Sequence, residues 1–97
     1  MTIYLVTLSN GARPEAFRSF AAAVHHARLV SPARYGVKAP DGDFYMYPSR
    51  SELYRDREGA APHLVMAIVR KVRNPTAFLE DLDNPTTWRR AVEEVLS

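Results

Sequence analysis

Hydrophobic positions near the start of the chain follow two different periods. Residues 2–8 are rich in β-branched and aromatic side chains and apolar on both faces, which is typical of a strand inside a sheet. The next apolar side chains recur at helical spacing: Phe17, Phe20, Ala21, Val24 and Ala27. This spacing predicts a helix from Pro14 to residue 30, with proline in the first turn. A hairpin across Asn10 and Gly11 is the alternative.

Capping and turn residues divide the rest of the chain into shorter elements. Ser49 and Glu52 have the capping-box spacing, which predicts the start of a helix. Asn74 and Asn84 each precede a proline, as an N-cap before the first helical residue does. The predicted elements are strands over 34–39 and 43–47, a helix over 49–59, a strand over 63–72, and helices over 74–82 and 84–96.

The element order is β-α-β-β-α-β followed by two additional C-terminal helices, which makes the fold class α+β. The 97 residues are enough for one domain, and no low-complexity linker divides them, so we predict a single α+β domain over 1–97. Over about the first three quarters of the chain this order resembles the ferredoxin-like superfold. The resemblance implies a split βαβ sheet with the first two helices on one face.

Composition excludes several classes of protein. The chain has no cysteine, which excludes a disulfide scaffold, a thiolate zinc site and a cysteine nucleophile. No apolar run approaches the roughly 20 residues of a membrane span, and the N-terminus lacks the pattern of a signal peptide. We therefore expect a cytoplasmic protein that does not associate with membranes.

Charge is unevenly distributed although the net charge is only +2. Residues 1–38 carry five basic and one acidic side chain, whereas residues 75–97 carry two basic and five acidic ones. Such polarity can orient a partner or favour head-to-tail association. Only Lys38 and Lys71 are lysines, so arginine supplies most of the positive charge. Guanidinium groups suit carboxylates, phosphates and aromatic faces, which favours a binding role.

Residues with catalytic or metal-binding chemistry do not form a recognisable motif. His25 and His26 are adjacent, so on a helix they point about 100° apart and cannot share one ligand. No serine has the nucleophile-elbow context, and the glycines are too scattered to cradle a phosphate. The sequence therefore predicts neither catalytic nor metal-binding residues, and no cofactor.

The predicted sheet presents an aromatic face away from the first two helices. Strand alternation places Tyr4, Tyr45 and Tyr47 together on that face. Large exposed apolar faces usually mark contacts, so the C-terminal helices, a second copy of the chain or a flat ligand would cover it. Four basic side chains complete the candidate binding residues: Arg34, Arg70, Lys71 and Arg73.

These residues predict a small non-catalytic module that binds or regulates a protein, since Tyr and Arg dominate interface energetics. It would be an accessory or inhibitor protein acting on a larger, nucleic-acid-processing complex, and its partners would include a second copy in a homodimer.

Two alternatives stay open. Residues 3–8 resemble the first-strand motif of RNA-recognition domains, in which an exposed aromatic side chain stacks on a base; this implies a single-stranded nucleic-acid binder. The element order is also similar to that of dimeric α+β-barrel proteins, which implies a small-molecule-binding protein or oxygenase that uses His25, His26 or Trp88.

Overall fold

The computed structural model describes residues 1–39, 42–57, 65–81 and 83–97. Within these ranges it contains five strands and four helices. In chain order they are β1 (Ile3–Leu8), β2 (Glu15–Phe17), α1 (Phe20–Val30), β3 (Tyr35–Lys38), β4 (Phe44–Tyr47), α2 (Arg50–Arg57), β5 (Ala67–Val72), α3 (Pro75–Glu80) and α4 (Thr86–Leu96).

All five strands form one antiparallel sheet in the order β2-β1-β5-β4-β3. The α+β class is confirmed, but the strand order differs from the predicted split βαβ arrangement. In a split βαβ unit, two strands joined through a helix run parallel with another strand between them. Here β4 and β5, joined through α2, are direct antiparallel neighbours. The last strand therefore occupies the centre of the sheet, where Val69 on one face and Ile68 on the other both pack into apolar clusters.

The segment 15–17 forms an edge strand instead of the predicted helix start. It pairs antiparallel with β1, so the hairpin alternative is the one that forms. Gly11 adopts a positive φ of 79° between the two strands, a conformation that glycine tolerates. Pro14 precedes an edge strand, where its missing N–H costs no ladder bond. The true N-cap of α1 is Ser19, whose hydroxyl accepts from the Ala22 N–H at 3.1 Å.

Helices cover both faces of the sheet. On one face α1 packs Ala23 and Ala27 against a buried cluster that includes Val6, Met46 and Val69. On the other face α3 and α4 pack on β1 and on Val72 of β5, and α2 packs on the β4 end. The prediction that the first two helices share one face is therefore wrong: α1 packs on the face of Val6 and Met46, whereas α2 packs on the opposite face, which the C-terminal helices also cover.

Two of the three predicted capping sites form as expected. The Asn74 side chain accepts from the Ala77 N–H at 3.1 Å and caps α3. The Ser49 hydroxyl accepts from the Glu52 N–H at 3.4 Å, and α2 begins at the next residue. Asn84 does not cap α4; its side-chain amide donates to the Phe78 carbonyl oxygen, near the end of α3.

Some predicted features lie outside the described residues. They are the first two residues of the turn over 40–42, the helix end at Gly59, the first residues of the strand over 63–72, and residue 82. No helix in the described ranges combines the length and hydropathy of a transmembrane span.

Candidate functional site

A cleft of about 250 Å³ opens on the face of the sheet that α1 covers, beside the first residue of α1. We call it the lysine cleft because it contains both lysines of the chain. Its lining comes from four strands, one helix and one loop: Tyr4, Phe20, Lys38, Gly42, Phe44, Val69 and Lys71.

Strand register brings these side chains onto one face. Tyr4 lies opposite Lys71 across the β1–β5 pair. Phe44 lies opposite Val69 on one side and opposite Lys38 on the other. Directly opposed residues in a sheet point to the same face, so the floor of the cleft follows from pairing alone.

Three aromatic rings form the apolar part of the cleft. The Phe20 ring packs edge-to-face on Tyr4, with centroids 5.8 Å apart, and on Phe44, with centroids 5.0 Å apart. This is the favoured geometry of aromatic pairs. Phe20 is nevertheless 42% exposed, so part of its ring is available to a ligand.

The position of Phe44 depends on Gly36 in the neighbouring strand. The Phe44 ring lies where a Cβ atom at position 36 would stand, so a side chain there would collide with the ring. Gly36 therefore leaves room for the far end of the Phe44 ring over β3, beside the cleft. The shape of the aromatic wall follows from this one small residue.

Positive charge in the cleft is uncompensated by the described residues. Lys38 and Lys71 are both exposed, and neither has an ion pair within the described ranges. The carboxylate of Asp43 points to the opposite face, where it lies 3.3 Å from the Arg70 guanidinium. Two ammonium groups beside an apolar wall create a positive potential that attracts anions.

The structure separates the three tyrosines that the sequence placed together. Tyr4 lies on the α1 face, whereas Tyr45 and Tyr47 lie on the opposite face. Tyr47 is only 2% exposed and packs with Leu53 of α2 and with Val65. The prediction of a shared tyrosine face is therefore wrong. The pairing of β5 with β1 on one side and with β4 on the other places Tyr4 on the same face as Phe44 and opposite to Tyr45.

The predicted basic residues have different surroundings. Lys71 lines the cleft, and Arg73 is exposed just beyond β5. The Arg34 guanidinium donates to the carbonyl oxygens of Arg28 and Ser31, both at 3.2 Å, and so ties β3 to the C-terminal end of α1. Arg70 has two partners, Asp43 and the ring of Trp88, whose centroid lies 5.2 Å from the guanidinium carbon.

Arg70 therefore connects the sheet to α4, and we expect the Arg70→Met substitution to lower the free energy of unfolding by about 1 kcal/mol. The expected loss is small because the side chain is 44% exposed and solvent screens its ion pair. Arg90→Met, at an exposed position of α4, is the matched control and should change stability by less than about 0.5 kcal/mol. Urea unfolding measures both; equal losses would contradict the assigned role.

The two described histidines, His25 and His26, do not meet Trp88 at a common site. His26 packs on the ring of Phe17, with centroids 4.9 Å apart, whereas His25 is exposed. Trp88 stacks on Phe78 and packs on the opposite face from the cleft. His63 lies outside the described residues.

Sequence reasoning missed five of the seven lining residues: Phe20, Lys38, Gly42, Phe44 and Val69. The available signal was that the chain has only two lysines, both in predicted strands. That the two lysines lie on the same face of the sheet follows from the strand register, which the sequence pattern does not show.

Among the described residues, no group of three or more His, Asp or Glu side chains is placed to hold a metal ion. Comparison with protein-family models, with curated proteins and with solved structures finds no match. The chemistry of the lysine cleft is accordingly interpreted from its own residues.

Proposed function

We propose that this chain is a non-catalytic binding module whose lysine cleft takes a small anionic compound bearing one flat ring. The observation that supports this most is the placement of both lysines of the chain around one aromatic wall. In this proposal Lys38 and Lys71 contact the anionic group, and Phe20 and Phe44 contact the ring.

The size of the cleft supports a ligand with a single ring. About 250 Å³ corresponds to roughly eight water molecules at ~30 Å³ each. Pockets for drug-sized ligands begin at about 300 Å³, so the cleft suits a smaller compound. The ring would displace water from the faces of Phe20 and Phe44, while the lysines select for negative charge.

The lining supports binding without chemistry. The described residues of the cleft include no imidazole and no carboxylate that would act as a general base beside a nucleophile. Tyr4 supplies the single side-chain hydroxyl of this lining, and its ring is held by Phe20. The proposal therefore assigns recognition of an anion and a ring to the cleft.

Phenyl phosphate is a suitable probe because it joins one ring to an anionic group. We expect it to bind more tightly than either phenol or inorganic phosphate, and to shift the NMR signals of cleft residues. Lys38→Met and Lys71→Met should each weaken binding by about fivefold, since an exposed charge pair contributes about 1 kcal/mol. Arg90→Met removes a charge outside the cleft and should leave binding unchanged.

Two results would overturn the proposal. One is binding of phenyl phosphate that neither lysine substitution weakens. The other is a single-stranded oligonucleotide that shifts the same signals and binds more tightly than phenyl phosphate, with an affinity that falls steeply with salt. The second result would favour the nucleic-acid alternative, in which the cleft takes one nucleotide of a longer strand.

A further inference from the structure

The outer edge of β3 is open in the described structure. β3 is the last strand of the sheet order, and Gly36 and Lys38 are both exposed. Ala39 donates its N–H to the Asp43 carbonyl oxygen at 2.8 Å, so the odd-numbered residues direct their backbone groups toward β4. By alternation the N–H and C=O groups of Gly36 and Lys38 point away from the sheet.

The opposite edge of the sheet, formed by β2, is protected from pairing with another chain. β2 has only three residues, and α4 packs beside it. Arg13 forms an ion pair with Glu94, and the Arg18 guanidinium donates to the Val95 carbonyl oxygen at 2.9 Å. Short length and a covering helix are common protections of edge strands. The described residues provide no such cover at β3.

The surroundings of the β3 edge combine aromatic surface with positive charge. Tyr35 is 41% exposed, and the guanidinium carbon of Arg50 lies 5.4 Å from its ring centroid. Tyr54, one helical turn after Arg50 in α2, is 56% exposed. Arg28 and Arg34 lie at the end of α1 that leads into β3. These side chains would complement a partner that carries carboxylates.

We propose that the open edge of β3 docks an extended acidic segment of a partner protein, which adds to the sheet as a sixth strand. Backbone bonds to Gly36 and Lys38 would give affinity, and the arginines would select the acidic sequence. A second copy fits this edge less well, because pairing of two β3 strands would bring the same cationic side chains together. The proposal is independent of the ligand assigned to the lysine cleft.

The test uses an acetylated and amidated peptide of about eight residues in which glutamate alternates with valine or threonine. We expect the peptide to slow amide hydrogen exchange at Gly36 and Lys38. A version of the same length with lysine in place of glutamate should not slow it. Two further versions of the peptide are N-methylated at alternate residues, so that each lacks the N–H groups along one edge of the peptide strand. If the peptide pairs with β3, the version methylated on the edge that faces β3 should lose binding, whereas charge attraction alone would not distinguish the two versions.

Substitution of Arg50 tests the charge selection. Arg50→Glu should weaken binding of the acidic peptide by at least about fivefold, whereas Arg90→Glu should leave the binding affinity unchanged. Circular dichroism of each variant checks that the fold is retained.

Three outcomes would overturn the proposal. The first is unchanged exchange at Gly36 and Lys38 with the acidic peptide. The second is equal binding of both N-methylated versions and the parent peptide. The third is a concentration-dependent dimer of the protein alone that already protects these two amides, which would assign the edge to a second copy.

Discussion

Leu5→Ala should lower the free energy of unfolding by about 2–5 kcal/mol, the usual cost of truncating a large buried aliphatic side chain. Leu5 is fully buried and lies in the cluster that holds Ala91 and Val92 of α4 against β1. Small domains are stable by only about 5–15 kcal/mol, so this loss is a large fraction of the total. Urea unfolding monitored by fluorescence of Trp88, the single tryptophan, measures it and also reports on the docking of α4.

Leu29→Ala is the matched control for this substitution. It makes the same chemical change at a side chain that is 70% exposed near the end of α1, so the expected loss is below about 0.5 kcal/mol. Comparable losses for the two variants would contradict the position of Leu5 beneath α4.

Gly36→Ala should both destabilise the protein by about 1–3 kcal/mol and abolish binding of phenyl phosphate to the lysine cleft. The added methyl group collides with the Phe44 ring, which must then leave its place beside Phe20. Alanine is tolerated in a strand, so the change of residue type in β3 costs little by itself. The collision with the Phe44 ring is therefore the main cause of the lost stability. Thermal unfolding and an NMR titration with phenyl phosphate measure the two effects.

A double-mutant cycle with Phe44→Ala isolates the collision. In the Phe44→Ala background the ring is absent, so Gly36→Ala should be close to neutral, or stabilising by up to about 1 kcal/mol through restriction of the unfolded chain. If Gly36→Ala costs as much without the Phe44 ring as with it, the ring does not set the shape of the cleft.

Local chemistry predicted much of the secondary structure. The strands predicted over 34–39 and 43–47 correspond to β3 and β4 within one residue at each end. The caps at Ser49 and Asn74 form where the spacing placed them. Each of these signals involves residues within a few positions of one another, so the sequence alone carries them.

Two features differ from the main prediction because they depend on which strands pair with one another. Segment 15–17 was predicted to be helical, yet it pairs with β1 as an edge strand, and α1 begins at Phe20, six residues later than predicted. The central place of β5 follows from its simultaneous pairing with β1 and β4. Periodicity shows that a strand is buried on both faces, but it does not identify its neighbours.

The composition of the lysine cleft also depends on strand pairing that the sequence pattern does not show. Phe44 packs against the core cluster and its ring also lines the cleft. Tyr4 was predicted as a candidate binding residue and lies in the lining of the cleft, but the residues beside it depend on the register between strands. A shift of one residue in that register would have exchanged the two faces of β1.

The central position of β5 has a consequence for synthesis on the ribosome. The hairpins β1–β2 and β3–β4 emerge first, and the structure provides no direct pairing between them. Only when residues 67–72 emerge does a strand arrive that joins both hairpins. Until then the inner edges of β1 and β4 are unpaired. The nascent chain therefore exposes two strand edges that can pair with other chains, and β5 covers both of them in the folded protein.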